Sequence, residues 1–166
     1  MEGFEIKKVY RQEVPEMCFI GKKTYDWGAM FQPGGFDVIE KYVNKEFKER
    51  YEDSDAYLGL YRFKEGDPVE YFIGMFLPLN TPVLEGFVKF DFPKSTLGVC
   101  WVYGKESEVH GKTGEVKKRL EDEGYKILPY QNNDIIWVVE RDGCPRFTTP
   151  DEKGNVITDV CYYLEH

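Results

Sequence analysis

The feature that most constrains the fold of this chain is an order of predicted elements that occurs twice along its length. Two strands, a helix and two further strands follow one another in the first half, and the same order returns in the second half. Strands are predicted where apolar residues alternate or form short runs, and helices where apolar residues recur every three or four positions. The elements cover residues 4–10, 17–22, 36–47, 56–63 and 70–77 in the first half, and 87–92, 97–103, 109–123, 134–141 and 156–164 in the second.

Short matches between the two halves favour a duplication. Residues 18–20 (CFI) resemble residues 100–102 (CWV), and both apolar runs end in Gly-Lys. The alternative is a coincidence between two ordinary α+β segments. Because four strands and one helix are too few to bury a stable core alone, we expect the two halves to share one.

We therefore predict a single α+β domain over residues 1–163, with halves at 1–79 and 85–163. Each half contributes antiparallel strands and one main helix, and a pseudo-two-fold axis relates the halves. Such an axis commonly leaves a crevice, so a ligand groove is expected between the halves. Residues 164–166 (LEH) are expected to be the remnant of an expression tag.

Charge and cysteine content exclude several classes of function. The chain has 30 acidic and 22 basic residues, which gives a formal charge of −8. This field repels a phosphate backbone and attracts cations, so no direct contact with nucleic acid is expected, although acidity also serves solubility. Two histidines and four widely spaced cysteines make a metal site or another cofactor unexpected. The absence of a signal peptide and of a membrane-spanning run points to the reducing cytoplasm and to no membrane partner.

Several segments, taken in order, resemble the GyrI-like or AraC-type effector-binding domains, whose fold is of the SOUL-like kind. The segments are residues 14–21 (VPEMCFIG), 71–75 (YFIGM), 85–87 (EGF), 92–96 (FPKST) and 120–125 (LEDEGY), followed by a strand that ends in Glu140. The resemblance spans nearly the whole chain, and its specificity lies in the order of the segments. The sequence departs from the family in the long loop at 142–155 and in lacking a Trp on the second helix.

The resemblance implies a receptor for lipophilic cations and other xenobiotics, as in multidrug sensors. Family members bind these molecules in a groove between the halves, against aromatic walls and the strand glutamate. Some members are fused to DNA-binding domains, some bind protein partners, and a subset hydrolyses cyclopropanoid alkylating agents. Because no helix-turn-helix extension is recognisable, this chain is expected to be at most the sensor part of a regulator.

Glu140 is the foremost candidate site residue. It ends an apolar strand and shares one face with Ile136 and Val138 if the side chains alternate. A carboxylate in such a place loses water, which raises its pKa unless a cation compensates. A bound lipophilic cation would supply that compensation; the alternatives are pairing with Arg141 or Lys22, or exposure at the strand end.

Aromatic side chains on the strands are candidate walls of the groove. Trp101 and Tyr103 share one strand face and are expected to line the groove, whereas Trp137 falls opposite Glu140 and fits a core position better. Further candidates on the flanking strands are Tyr57, Tyr61, Phe76, Tyr162 and Tyr163, of which alternation allows about half to face the groove. Residues 27–31, with Trp27, Met30 and Phe31, would form a rim or lid, or else an apolar contact with the first helix.

The preferred function is a binding module without enzymatic activity. One alternative is a hydrolase of strained electrophiles, with Glu140 as its general base. Another is an inhibitor that binds a gyrase-like protein partner, although the acidic residues are scattered along the chain. Haem binding through His110 is the weakest alternative, because the segment around that imidazole is polar.

Overall fold

The computed structural model describes residues 3–130 and 135–165 as one sheet with short helices. Within these residues the strands are β1 (Phe4–Val14), β2 (Met17–Lys23), β3 (Tyr57–Lys64), β4 (Glu70–Pro78), β5 (Val88–Phe92), β6 (Ser95–Gly104), β7 (Ile135–Asp142) and β8 (Val156–Tyr163). The α-helices are α1 (Trp27–Met30), α2 (Phe36–Ile39), α3 (Lys45–Arg50), α4 (Glu106–Val109) and α5 (Thr113–Asp122), and a 3₁₀ turn covers Glu40–Tyr42.

The strand order is symmetric about the centre of the sheet. All pairs are antiparallel, and the order is β1-β6-β8-β7-β3-β4-β2-β5. Each strand of the first half therefore has its counterpart from the second half at the mirrored position, with the β3–β7 pair in the middle. The first strand of each half is exchanged, because β1 pairs with β6 and β5 pairs with β2. The predicted α+β class and pseudo-two-fold arrangement are confirmed, with all eight strands joined in one sheet.

The two faces of the sheet bury different cores. One face, here called the shared face, carries a single cluster to which both halves contribute, including Phe19, Phe76, Phe92, Trp137 and Tyr163. The opposite face, here called the helix face, carries two separate clusters, one for each half. Alternation along the strands explains this division, since successive side chains point to opposite faces.

Helices cover the helix face in two groups. Met30 of α1 and Phe36 of α2 pack into the cluster of the first half. Val116 and Leu120 of α5 pack into the cluster of the second half, together with Val109 of α4. The β3–β7 seam lies between these two groups, which leaves its side chains on the helix face less covered by helices than the clusters on either side.

The helix predicted over residues 36–47 is interrupted. The chain turns extended at Val43, with φ −74° and ψ 115°, and α3 starts anew after Asn44. The Asn44 side chain accepts a hydrogen bond from the backbone N–H of Phe47 at 2.8 Å, as an N-cap does. The break lets Phe47 join the core of the shared face, whereas Phe36 packs on the helix face.

The helix predicted over residues 109–123 is also interrupted, at His110 and Gly111. His110 is already extended, with φ −89° and ψ 156°, and Gly111 after it adopts φ +79°, a left-handed conformation that favours glycine. Helix α4 therefore ends at Val109 and α5 begins at Thr113. The predicted stop at Gly124 is confirmed, since this residue has φ +91° directly after the capping residue Glu123.

Most predicted strands differ from those found at one or both ends, usually by one or two residues. Strand β1 continues four residues beyond the predicted end, to Val14. Strand β7 continues one residue beyond Arg141, to Asp142, and this extension changes the composition of the site described below. Asp134, the predicted first residue of that strand, and His166 of the proposed tag lie outside the described residues.

A buried guanidinium links the two halves on the shared face. Arg141 is fully buried, and its Nε and Nη2 donate to Asp159 Oδ2 at 3.1 and 2.9 Å. Its Nη1 donates to Gln12 Oε1 at 2.7 Å and to the Tyr51 hydroxyl at 3.2 Å, and lies 3.5 Å from Asp53 Oδ2. Burial alone would lower the pKa of Arg141, but the nearby acidic groups hold it charged.

A second arginine completes this ionic network. Arg146 Nε donates to Asp159 Oδ1, and Arg146 Nη2 donates to Asp53 Oδ1, both at 3.0 Å. Two guanidinium groups thus compensate two carboxylates that are almost wholly shielded from water, which is the condition under which buried charges are tolerated. Because Asp53 belongs to the first half and Asp159 to the second, the network fixes the halves against each other.

Arg141→Leu should destabilise the protein strongly, because it leaves the buried carboxylate of Asp159 with one cation fewer. Removing one partner of a buried ion pair lowers the free energy of unfolding by about 3–5 kcal/mol. The measurement is urea unfolding at neutral pH. Lys118→Ala is the control, since the pair of Lys118 with Asp122 is exposed and should matter little. Equal effects of the two substitutions would contradict the importance of the network.

Candidate functional site

The floor of the candidate site is the helix face of the β3–β7 pair. In the register of these antiparallel strands, Tyr57 lies opposite Asp142 and Gly59 opposite Glu140. Directly opposed residues of two strands point to the same face. Tyr61 follows on β3, and its ring contacts the helix-face clusters of both halves. Acidic side chains from β7 and aromatic side chains from β3 therefore lie side by side along the seam.

A cavity of about 510 Å³ lies at one end of this seam. Both halves contribute to its wall, whose residues are Trp27, Phe31, Tyr57, Glu106, His110, Asp142, Phe147 and Thr148. The volume is within the range of small-molecule sites. Four aromatic rings and two carboxylates thus surround one space.

Glu140 is buried beneath the floor and is not part of the cavity wall. It is 1% exposed, and its Oε1 accepts from the Tyr61 hydroxyl at 3.1 Å. Its Oε2 accepts from the backbone N–H of Gly111 at 2.8 Å. This contact depends on the break between α4 and α5, because a helical amide at Gly111 would be directed along the helix axis toward a carbonyl of the preceding turn.

The carboxyl of Glu140 has a raised pKa. Burial disfavours its charged form, and this effect exceeds the opposing effects of the Gly111 N–H, the charge of His110 and the Tyr61 hydroxyl. Within the described residues neither basic group considered from the sequence pairs with it. Arg141 points to the shared face, and Lys22 lies over the ring of Phe87 at 4.8 Å.

A small cluster of aromatic residues covers Glu140. Gly59 makes room for it, since a Cβ at that position would lie 2.2 Å from the Tyr71 hydroxyl. That hydroxyl accepts a hydrogen bond from Trp27 Nε1 at 3.1 Å. The ring of Tyr25 stacks on Tyr71 with centroids 5.2 Å apart. Trp27 therefore connects the cavity wall with the surroundings of the buried carboxyl.

Asp142 is the less exposed of the two carboxylates in the cavity wall, the other being Glu106 of α4. Its Oδ1 accepts from the Thr158 hydroxyl at 2.6 Å, and His110 Nε2 lies 3.1 Å from Oδ1 and 3.3 Å from Oδ2. Burial by itself lowers the pKa of His110, but the hydrogen bond to Asp142 and the charges of Asp142, Glu140 and Glu106 outweigh this effect. The pKa of His110 is thus raised, and a charged imidazole is favoured beside Asp142.

The sequence alone does not point to this pair, since Asp142 falls outside the predicted strand and His110 is a candidate there only for haem. Asp142 lies two positions beyond Glu140, so alternation would have placed it on the same face had the strand been extended to it. His110 was included in a continuous charged helix, and only the left-handed turn at Gly111 brings it to the seam. Phe147 belongs to the long loop at 142–155, and the sequence does not predict which residues this loop contacts.

The aromatic residues proposed from the sequence are divided between the two faces. Tyr57 and Tyr61 lie at the seam, and Trp27 and Phe31 contribute to the cavity wall. Tyr162 lies on the helix face, where its hydroxyl donates to Thr113 O at 2.7 Å. The shared face holds Phe76, Trp101, Trp137 and Tyr163, and Tyr103 follows on the same side of β6 as Trp101.

Register explains why Trp101 is remote from Glu140. Trp101 lies opposite Asp159, and Asp159 lies opposite Arg141, so all three side chains share one face. Trp101 Nε1 donates to the Tyr10 hydroxyl at 3.1 Å, and Arg146 lies 4.9 Å from its ring centroid. Tyr103 hydrogen-bonds Asp151 at the surface. Neither ring lines the cavity.

Across residues 3–130 and 135–165, His, Cys, Asp and Glu side chains form no group of three or more suited to hold a metal ion. The same part of the chain has no helix with the length and apolar character needed to cross a bilayer.

Known structures share this fold at low sequence identity. A scan against protein-family models and a search of curated proteins find no match. The C-terminal domain of EcmrR superimposes with a TM-score of 0.54 at 11% identity, over 95% of this chain and 97% of that domain. A Staphylococcus aureus MU50 protein, described as a bacterial transcription regulator, gives 0.55 at 15% identity over 96% and 99%.

EcmrR in its DNA complex also matches. Its TM-score is 0.51 at 13% identity, over 98% of this chain and 58% of that longer chain. At such identities the comparisons establish a common fold with domains of transcription regulators. Ligand and activity have to be inferred from the site itself.

Glu140→Gln should make stability less dependent on pH. The raised pKa means that ionisation of Glu140 opposes folding, so this carboxyl favours the folded state below its ordinary pKa of about 4.3 and loses that advantage as pH rises through its folded value. The substituted amide has an oxygen for Gly111 N–H and an NH₂ for the Tyr61 hydroxyl. The free energy of unfolding of the variant, relative to wild type, should therefore increase above pH 4.3 and then level off.

The measurement is urea unfolding of both proteins between pH 4 and pH 9. Glu46→Gln, on the exposed side of α3, is the control and should follow wild type at every pH. A constant difference between Glu140→Gln and wild type across this range would show that Glu140 ionises equally easily in both states.

Proposed function

We propose that this chain is a GyrI-like effector-binding domain that binds lipophilic or flat aromatic cations in the cavity at the β3–β7 seam. The proposal rests on one observation: four aromatic rings and the Asp142 carboxylate line the same cavity of about 510 Å³. The common fold with domains of transcription regulators supports it at the level of architecture.

The physical case rests on aromatic faces and a countercharge. A ring face attracts a cation by about 0.5–2 kcal/mol, and more when water is excluded. Trp27, Phe31, Tyr57 and Phe147 line the cavity together with Asp142. An ion pair near a protein surface is several times stronger than in bulk water, so one carboxylate beside apolar walls favours a cation with a large apolar body.

The buried Glu140 adds negative potential from below. Its charged form is disfavoured in the empty protein, and a cation nearby would lower its pKa and stabilise the ionised form. The overall charge of −8 acts in the same direction over longer distances. We therefore assign Asp142 as the direct countercharge and Glu140 as a supporting one.

The geometry supports binding better than hydrolysis. Glu140 would need access to a water in the cavity to act as a general base. Both of its oxygens already accept hydrogen bonds, from Tyr61 and Gly111, and the carboxyl does not line the cavity. We also propose a cytoplasmic location, in line with four free cysteines of which three are buried.

The test uses N-methylacridinium, a permanent three-ring cation, and 9-methylanthracene, its uncharged counterpart of the same shape. At pH 8, fluorescence titration should show saturable binding of the cation and weaker binding of the hydrocarbon. Asp142→Asn should weaken binding of the cation about tenfold and leave the hydrocarbon almost unchanged. Absence of saturable binding for both probes, or equal affinity for both, would overturn the proposal.

Trp27→Leu and Trp101→Leu form a matched pair that locates the site. Both substitutions replace an aromatic face by an aliphatic side chain, but only Trp27 lies in the cavity wall. Trp27→Leu should weaken N-methylacridinium binding about two- to thirtyfold, the equivalent of one cation–π contact. Trp101→Leu should leave the affinity unchanged. The opposite ranking would place the site on the shared face.

A further inference from the structure

The contact between His110 and Asp142 occupies the place where a cationic ligand would need its countercharge. Asp142 lies on a strand in the middle of the sheet, is fixed by the Thr158 hydroxyl at 2.6 Å, and has a side chain only 10% exposed. His110 follows the four-residue helix α4, and its side chain is 34% exposed. Of the two partners, the imidazole is therefore the one that is free to move away.

The charged and titratable groups that face His110 are almost all acidic. Asp142 and Glu140 face it from β7, and Glu106 faces it from α4. From β3, Tyr57 contributes a hydroxyl that donates to Glu40, and burial together with this contact raises its pKa to about 12. Tyr57 is therefore neutral throughout the physiological range.

Apart from Thr148, the remaining residues of the cavity wall are aromatic. Phe147 from the loop after β7 contacts the imidazole edge-on with centroids 5.5 Å apart, and Trp27 of α1 completes the wall. Among the described residues that line the cavity, none is Lys or Arg. His110 is thus the single basic side chain of that wall.

We propose that protonated His110 acts as the cavity's own cation and that a cationic ligand binds by displacing it from Asp142, with release of one proton to the solvent. His110 is then a specificity-determining residue for the ligand class proposed above, and this inference rests on that proposed function. An uncharged aromatic ligand uses the same walls without needing Asp142, so it leaves the His110–Asp142 pair in place.

The sign of the pH dependence follows from linkage. A cation beside Asp142 repels the imidazolium and takes over its partner, so the pKa of His110 is lower in the complex than in the empty protein. The empty protein therefore holds more protons, and binding of the cation strengthens as pH rises. Release of the proton of His110 makes the affinity increase about tenfold per pH unit between these two pKa values of His110, and this contribution becomes constant above both.

The experiment measures affinity and protonation on the same protein. N-methylacridinium is titrated between pH 5.5 and pH 8.5 into wild type, His110→Gln and Glu140→Gln, with 9-methylanthracene as the uncharged probe. Because the sequence has two histidines, the imidazole signal that His110→Gln lacks identifies His110 in NMR spectra. Its pKa is followed with and without saturating probe.

The expected result has three parts. Wild type and Glu140→Gln bind the cation more tightly at high pH, whereas His110→Gln binds it at pH 5.5 nearly as tightly as wild type does at pH 8.5. The pKa of His110 falls when the cation binds and is unchanged by 9-methylanthracene. If His110→Gln fails to fold, the same titration of His110→Asn and the NMR measurement on wild type decide the matter.

Two results would overturn the inference and are distinguishable from each other. Binding of the cation with the same pH dependence in wild type and His110→Gln, or with an unchanged pKa of His110, would refute displacement and leave the receptor function intact. No saturable binding of either probe at any pH would refute the receptor function and the displacement together.

Discussion

The pairing of β3 with β7 is the constraint on which the rest of the structure depends. It joins the two halves at the centre of the sheet, and the period of two along β7 assigns three successive charged residues to opposite faces. Arg141 enters the shared face, whereas Glu140 and Asp142 enter the helix face. A change of register by one residue would exchange these positions, placing the guanidinium at the cavity and both carboxylates in the shared core.

This separation of charge explains why the cavity is rich in carboxylates. The arginines that could neutralise Glu140 and Asp142 are engaged on the other face, where Arg141 and Arg146 bind Asp53 and Asp159. The sheet lies between the two sets of charges. On the helix face, His110 is the basic group beside Asp142 and Glu140. An imidazole can lose its charge near neutral pH, whereas a guanidinium cannot.

The turn at Gly111 connects backbone conformation with the chemistry of the site. Extended His110 and left-handed Gly111 separate α4 from α5, and at this break the Gly111 N–H donates to Glu140 and the His110 imidazole contacts Asp142. A periodic pattern of apolar residues is compatible with a straight helix through this position. Glu140, whose carboxylate accepts the hydrogen bond from the Gly111 N–H, lies 29 residues further along the chain. Local helix propensity therefore carries no information about the break.

The amino-acid sequence was sufficient to predict the repeated element order and the α+β class and to single out Glu140, because these follow from local periodicity and from similarity between segments. It could not determine which strands meet across the halves, and the alternation within each strand leaves the absolute face of Trp101 and Tyr103 undefined until pairing is known. That Trp27, Phe31 and Phe147 line one cavity with Asp142, and that His110 is the partner of Asp142, became apparent from the folded protein. Some of those contacts join segments that are more than a hundred residues apart in the sequence. The burial, charge and hydrogen bonding that select them exist only once the chain has folded.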